Sequence, residues 1–211
     1  MEPKSRPILF SGAMVRAILD GTKTQTRRVI KPQPSSCNLV LHDGEDQPRH
    51  TDSWFEEGKK RSPYQPGDRL WVKEAWAKVP ATAYHYDESI PHRVLDEDGY
   101  KWWAIYKEGW ERSSNGWKSP RFMPRWASRI ELEIVSVRVE RLNDISSRDC
   151  FAEGACHLPV EVALAPGNRH SVGNHHAALY QYSQLWESIN GKGSWALNPW
   201  VWVVEFRRVT P

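Results

Sequence analysis

The chain has 211 residues, with 29 lysines and arginines against 26 acidic residues for a formal net charge of +3, and it contains 12 tryptophans. That length fits one domain of ordinary size, and no run of about 18 apolar residues is present to cross a membrane as a helix. The three cysteines, Cys37, Cys150 and Cys156, are too few for a disulfide framework, and residues 1–7 lack the apolar core of a signal peptide, so the expectation is a cytoplasmic protein with reduced thiols and no membrane association.

Residues 7–10 read as a short buried strand. Ser11 is placed to cap a helix that carries Met14, Val15, Ile18 and Leu19 on one side, and Gly21 closes it. Residues 24–30 hold β-branched side chains at Thr24, Thr26, Val29 and Ile30 and are stopped by Pro32 and Pro34, so a strand leaves the helix cap directly. Residues 21–28 therefore form a helix-to-strand corner, a place where side chains and backbone groups are presented to a ligand more easily than within an element. Basic charge gathers here: residues 1–35 hold seven cations, among them Lys23, Arg27 and Arg28, against Glu2 and Asp20. A total of +3 does not mark a nucleic-acid binder, but its uneven distribution points to this corner. Arg27 and Arg28 face opposite sides of the strand, so one serves a pocket and the other meets solvent or phosphate.

Residues 33–64 are polar and aperiodic and read as an excursion from the core. Residues 65–68 form a turn and 69–76 a strand. Residues 77–119 mix Trp102, Trp103, Tyr106, Trp110 and Trp117 with acids and turn residues, a second excursion packed by aromatics that serves as a lid or a wall. Arg121, Phe122, Arg125 and Trp126 lie in a Pro-punctuated stretch with two readings. In one, Phe122 or Trp126 stacks on a base while Arg121 and Arg125 approach phosphates. In the other, the stretch is an entry to the next strand with Trp126 in the core. From Ile130 the apolar positions run Ile130, Leu132, Ile134 and then shift to Val135, Val137, Val139, which a β-bulge in one long strand would produce. Ser146 caps a short helix over 146–154, and residues 155–175 are a third excursion. Residues 176–190 carry Leu179, Tyr182, Leu185, Trp186 and Ile189 at helical spacing up to Gly191, and residues 200–206 are apolar on both faces, as a central strand is.

Five or six strands with short helices predict an α+β fold, a small β-barrel with flanking helices, formed as a single domain over 1–211 with insertions at 33–64, 77–119 and 155–175. Cys150, Cys156, His157, His170, His175 and His176 show no metal-ligand spacing, so no metal and no cofactor are expected. His85, between two tyrosines, reads as packed or exposed.

The order of a short helix ending at Gly21, then Lys23, Thr24, Thr26 and Arg27, then Pro66-Gly67-Asp68 with a strand, then the acidic short helix at Glu153 and a terminal aromatic strand, resembles the ASCH family, whose fold is PUA-like. The resemblance covers about 100–120 residues of core and extends to the longer ASCH proteins of phages and prophages. Within that family it is similar to the N4-acetylcytidine amidohydrolases, which implies Lys23, Thr26 and Glu153 as catalytic residues. Such chemistry needs a base to activate a weak hydroxyl nucleophile. Lys23 would take the Thr26 proton, Thr26 would attack the amide carbonyl, and Glu153 would orient Lys23 or protonate the leaving nitrogen. Alternatively Glu153 activates water and Thr26 only binds. Residues three apart on a strand face opposite ways, so Lys23 and Thr26 converge only if Lys23 lies in the corner.

The functional expectation is a protein that handles a modified pyrimidine nucleoside, RNA or DNA, with Thr24, Arg27, Arg28, Arg121, Phe122, Arg125 and Trp126 as binding residues and removal of an acyl group as the reaction. The alternatives are a non-catalytic reader of RNA or modified DNA and a metal-independent ribonuclease.

Overall fold

The structure is a computed structural model that describes residues 3–33, 39–40, 49–50, 62–84, 92–110, 113, 116–155 and 172–209. It is a mixed α+β fold, as expected, dominated by sheet, and its chain is divided between two compact units. Unit 1 comprises Met1–Gly21, Gly67–Glu133 and Arg207–Pro211, and unit 2 comprises Thr22–Pro66 and Ile134–Phe206.

In unit 1, strand β1 (Ser5–Leu9) runs parallel to β5 (Arg69–Lys73), with Ile8 beside Val72, and β5 pairs antiparallel with the first residues of β9 (Glu131–Arg141). Ile8, Leu70, Val72 and Leu132 point into the core, each worth about 1.5–3 kcal/mol in burial. Helix α1 (Gly12–Leu19) starts where the Ser11 side chain accepts from the Met14 N–H, and it buries Val15, Ala17 and Ile18. It ends because Gly21 takes φ +75°, a left-handed conformation that other residues adopt at a cost.

The segment expected as one strand over 69–76 is two. β5 stops at Lys73, and β6 (Trp76–Pro80) belongs to a separate three-stranded sheet in the order β6, β8 (Tyr100–Tyr106), β7 (Arg93–Glu97), antiparallel throughout. The break falls at Glu74, which is 1% exposed. Its carboxylate accepts from Nε and a terminal nitrogen of Arg129, both at 2.9 Å, and that guanidinium lies 4.1 Å from the Tyr106 ring centre and donates to the Glu108 carbonyl at 2.7 Å. The aromatic-rich stretch 77–119 thus carries regular sheet, in which Ala77, Val79 and Ile105 pack with Trp103, Trp110 and Trp117.

Unit 2 is built on β2 (Gln25–Val29), antiparallel to β10 (Trp200–Val209) with Thr26 opposite Val204. Residues 200–204 of β10 are all buried, which fits the central position that its two apolar faces predict. Helix α2 (Ser147–Ala152) is capped by Ser146, whose side chain accepts from the Asp149 N–H. Helix α3 (Val172–Asn190) begins four residues before the expected start and buries Ala178, Tyr182 and Trp186, one per turn, while Ile189 is exposed. These join Leu142, Ile145, Cys150, Val201 and Val203 in one core. A two-stranded sheet, β3 (Leu39–Val40) antiparallel to β4 (Arg49–His50), is also present.

Within unit 1 the strands pair in the order β1-β5-β9, and within unit 2 β10 pairs with β2. β9 is one continuous strand of 11 residues. Ser136, Arg138 and Glu140 follow Ile134 along it and enter polar contacts within unit 2. No helix among the described residues is long and apolar enough to cross a membrane. Cys37, Cys156, His85, His157 and His170 lie outside the described residues.

Candidate functional site

The corner after Gly21 leads into unit 2, where both backbone groups of Thr24 are tied. Its N–H donates to the Ala152 carbonyl at 2.8 Å, and its carbonyl accepts from the Phe206 N–H at 2.8 Å. This pins the start of β2 between the end of α2 and β10, and it brings Lys23 and Glu153, 130 residues apart, into contact. Glu153 is the C-cap of α2. The Lys23 ammonium donates to three oxygens: the Gln25 carbonyl at 2.8 Å, the Glu153 carbonyl at 2.8 Å and Glu153 Oε2 at 2.9 Å.

Arg27, two residues beyond Gln25 on the same face of β2, completes the arrangement. Its guanidinium reaches Glu153 Oε1 at 3.2 Å, Glu140 at 3.0 Å and Asp149 Oδ2 at 3.1 Å. The side chains of Lys23 and Arg27 are fully enclosed and that of Glu153 is 3% exposed. Arg138 extends the network by pairing with Glu140, Glu205 and Asp149, and the Ser136 hydroxyl donates to Glu205 at 2.8 Å.

Burial pulls the Lys23 ammonium below the ordinary lysine value, and Glu153 pulls it back only in part. Burial also works against the Arg27 charge, yet Glu153, Tyr182, Glu140 and Asp149 together hold its pKa above the usual value. Asp149 lies below the ordinary aspartate range: Gln25, Arg27 and Arg138 outweigh its partial burial. The Tyr182 phenol, buried and hydrogen-bonded to Glu153, is pushed well above its ordinary value.

Beside this network lies a cleft of about 430 Å³, lined on its polar side by Thr24, Gln25, Arg138, Arg148, Asp149 and Glu205 and on its apolar side by Val135, Ala152 and Phe206. Thr24 and Arg148 are exposed. Lys23 and Glu153 stand one residue behind this wall, since their chain neighbours Thr24 and Ala152 are part of it. No protein-family model matches the chain, and no curated protein does. A solved structure is similar. It is the crystal structure of an ASCH domain from Lactobacillus crispatus JV V101, at 11% identity and a TM-score of 0.36 over 97% of this chain and 79% of that one.

Of the residues singled out from sequence, the structure joins Lys23, Arg27 and Glu153. Thr26 is buried, lies one position out of phase with Lys23 and Arg27, pairs through its backbone with β10, and takes no part in the hydrogen bonds of the cluster given above. Arg28 faces away from Arg27 and is half-buried. Arg121, Phe122, Arg125 and Trp126 belong to unit 1. Trp126 packs edge-on against Trp76 at 5.8 Å as part of a core that includes Met123 and Ala127, whereas Phe122 is 73% exposed. Arg138, Glu140, Asp149 and Tyr182 were not anticipated as members of the site. The alternation of Ser136, Arg138 and Glu140 along β9 was the signal for Arg138 and Glu140; Asp149 and Tyr182 lie on helices and gave no such signal. Among the described residues no group of His, Cys, Asp and Glu side chains is placed to hold a metal ion.

Proposed function

We propose that unit 2 binds a pyrimidine nucleoside, free or within a nucleic acid, in the cleft beside the β2–α2 corner. The observation that carries this reading is the composition of the cleft wall. Arg138 and Arg148 supply donors and Asp149 and Glu205 supply acceptors around a space of about 430 Å³, within the range of small-molecule sites. A plain anion would be repelled by the two carboxylates, while a base edge presents donors and acceptors together and meets both kinds of group. Behind the wall, the Lys23–Glu153–Arg27 network holds Asp149 in place, as a well-ordered polar site requires.

A second reading, hydrolysis of an N-acyl group such as that of N4-acetylcytidine, is favoured by one observation: burial lowers the pKa of Lys23, whose nitrogen lies 2.9 Å from Glu153 Oε2. In that reaction unprotonated Lys23 takes a proton from the attacking hydroxyl or water. The carbonyl–nitrogen bond then breaks as that proton passes from Lys23 through Glu153 to the departing cytidine nitrogen, so one water is consumed and acetate and cytidine are released. The geometry favours binding over this reaction, because the Lys23 protons are already shared among three acceptors and its side chain is enclosed.

Titration calorimetry with cytidine and N4-acetylcytidine, paired with chromatography of the reaction mixture, tests both. Binding that weakens at least tenfold in Arg148→Ala supports the cleft, and no heat with either nucleoside at millimolar concentration sinks it. Cytidine release that disappears in a folded Glu153→Gln variant establishes hydrolysis, and retained binding without release rejects it.

A further inference from the structure

Unit 1 carries a second feature that the cleft does not use. On β5, Arg69, Trp71 and Lys73 alternate on one face, and their neighbours on β1, Ser5, Pro7 and Leu9, are exposed, Leu9 by 47%. Directly across from Trp71 and Arg69 on β9 stand Glu131 and Glu133. The stretch from Ser119 to Ala127 lies alongside, held by three contacts: the Lys73 ammonium donates to the Arg121 carbonyl, the Arg125 guanidinium lies 5.8 Å from the Trp71 ring centre, and Arg125 pairs with Glu131 at 3.2 Å. Arg207 reaches Glu133 at 2.9 Å. The result is a solvent-facing sheet surface with five cations, Arg69, Lys73, Arg121, Arg125 and Arg207, against two carboxylates, and with an indole and an exposed phenyl ring among them.

We infer that this face binds single-stranded nucleic acid, with Phe122 as the stacking platform and Arg121, Arg125 and Lys73 contacting the phosphates. Three features lead there. Phe122 is 73% exposed beside Arg121, which is itself exposed, so a ring face open to a flat partner stands next to a cation. The carboxylates are already engaged by Arg125 and Arg207, so the field at the surface is positive. Unpaired bases offer π-faces at the spacing of their phosphates, and a combined cationic and aromatic surface is the general means of holding them. A duplex hides those faces in its stack and offers only phosphate. The inference stands on unit 1 alone and does not depend on the cleft of unit 2.

Fluorescence anisotropy of labelled U12 and dT12 with the full chain tests it. Binding of at least one of them should be measurable at low salt and fall steeply as salt rises. Phe122→Ala should weaken it about tenfold, and the double charge reversal Arg121→Glu/Arg125→Glu should weaken it more and flatten the salt dependence. Phe122→Ala should keep the wild-type melting temperature, and the double variant should stay folded and keep its response to cytidine. Undiminished binding in either variant, or a duplex and heparin bound as tightly as the single strands, overturns the inference. So does the absence of binding at 50 mM salt, or concentration-dependent self-association that Phe122→Ala abolishes, which would assign the face to a second copy of the chain. Loss of cytidine binding by the wild type would bear on the cleft and leave this result standing.

Discussion

Each unit buries a glutamate, and the two are treated differently. Among the described residues Glu74 in unit 1 pairs with one cation, Arg129, in a closed pair that rests against Tyr106, and burial pushes its pKa up despite that partner. Glu153 in unit 2 receives Lys23 and Arg27 together, and Arg27 continues outward to Glu140 and Asp149, which borders the cleft. A closed pair anchors a strand end and affects little else. A branched network with one end at a cavity couples the core to whatever occupies that cavity. The contrast separates a carboxylate in a closed pair from one in a network that reaches a cleft.

The largest effect that tests the contrast is removal of the shared acid. Glu153→Ala strands two enclosed cations, and breaking a buried pair typically costs about 3–5 kcal/mol, so urea unfolding should show a loss at the upper end of that range or a chain that does not fold. Glu74→Ala strands only Arg129, which keeps the Glu108 carbonyl, the Tyr106 ring and some solvent, and the loss should be smaller, about 1.5–3 kcal/mol. Equal losses would erase the distinction. Next in size is Gly21→Ala, which forces a side chain into a left-handed backbone at φ +75° with open space around it. It should cost about 1 kcal/mol through conformation alone, read by the same unfolding curves.

The smallest effect is the pH dependence, where the two regions should differ in sign. Glu74 is raised, so its contribution to stability is fully present below the ordinary glutamate value and is lost as pH rises through its folded value. Asp149 is lowered, so its contribution is present above the ordinary aspartate value and is lost as pH falls through its folded value. Melting temperatures from pH 7 down to pH 2 should therefore fall less steeply at the acid end in Asp149→Asn than in the wild type. Glu74→Gln should gain on the wild type as pH rises from the acid end toward neutrality. A common direction of change in both variants would show that the two carboxylates share one environment.

Local signals carried the sequence reading furthest. Ser11, Gly21 and Ser146 act through groups two or three residues away, so their roles as caps and turn could be read directly and the structure agrees. The opposition of Arg27 and Arg28 followed from strand periodicity and holds, with Arg27 turned into the cluster. The approach of Glu153 to Lys23 came from the family resemblance, because no local rule links residues 130 apart. The sheet formed by β6, β8 and β7 was read as an excursion, since Trp102 and Trp103 stand side by side and a large apolar ring on each face hides the alternation that marks a strand. Glu74 was read as a strand interior, and nothing local reveals that Arg129 awaits it. Along β9 the change of apolar phase coincides with Ser136, Arg138 and Glu140 entering the polar network, side chains that a count of apolar positions passes over.

The way the chain is shared between the units bears on its synthesis. Unit 1 is assembled from three separate stretches and unit 2 from two, each interrupting the other, and the last stretch of unit 1 begins only at Arg207. Lys23 leaves the ribosome 130 residues ahead of the carboxylate that neutralises its surroundings, and β10, the partner of β2, follows later still. Neither unit can therefore be completed on a nascent chain before Phe206 has been made, and no single cut would release either one intact.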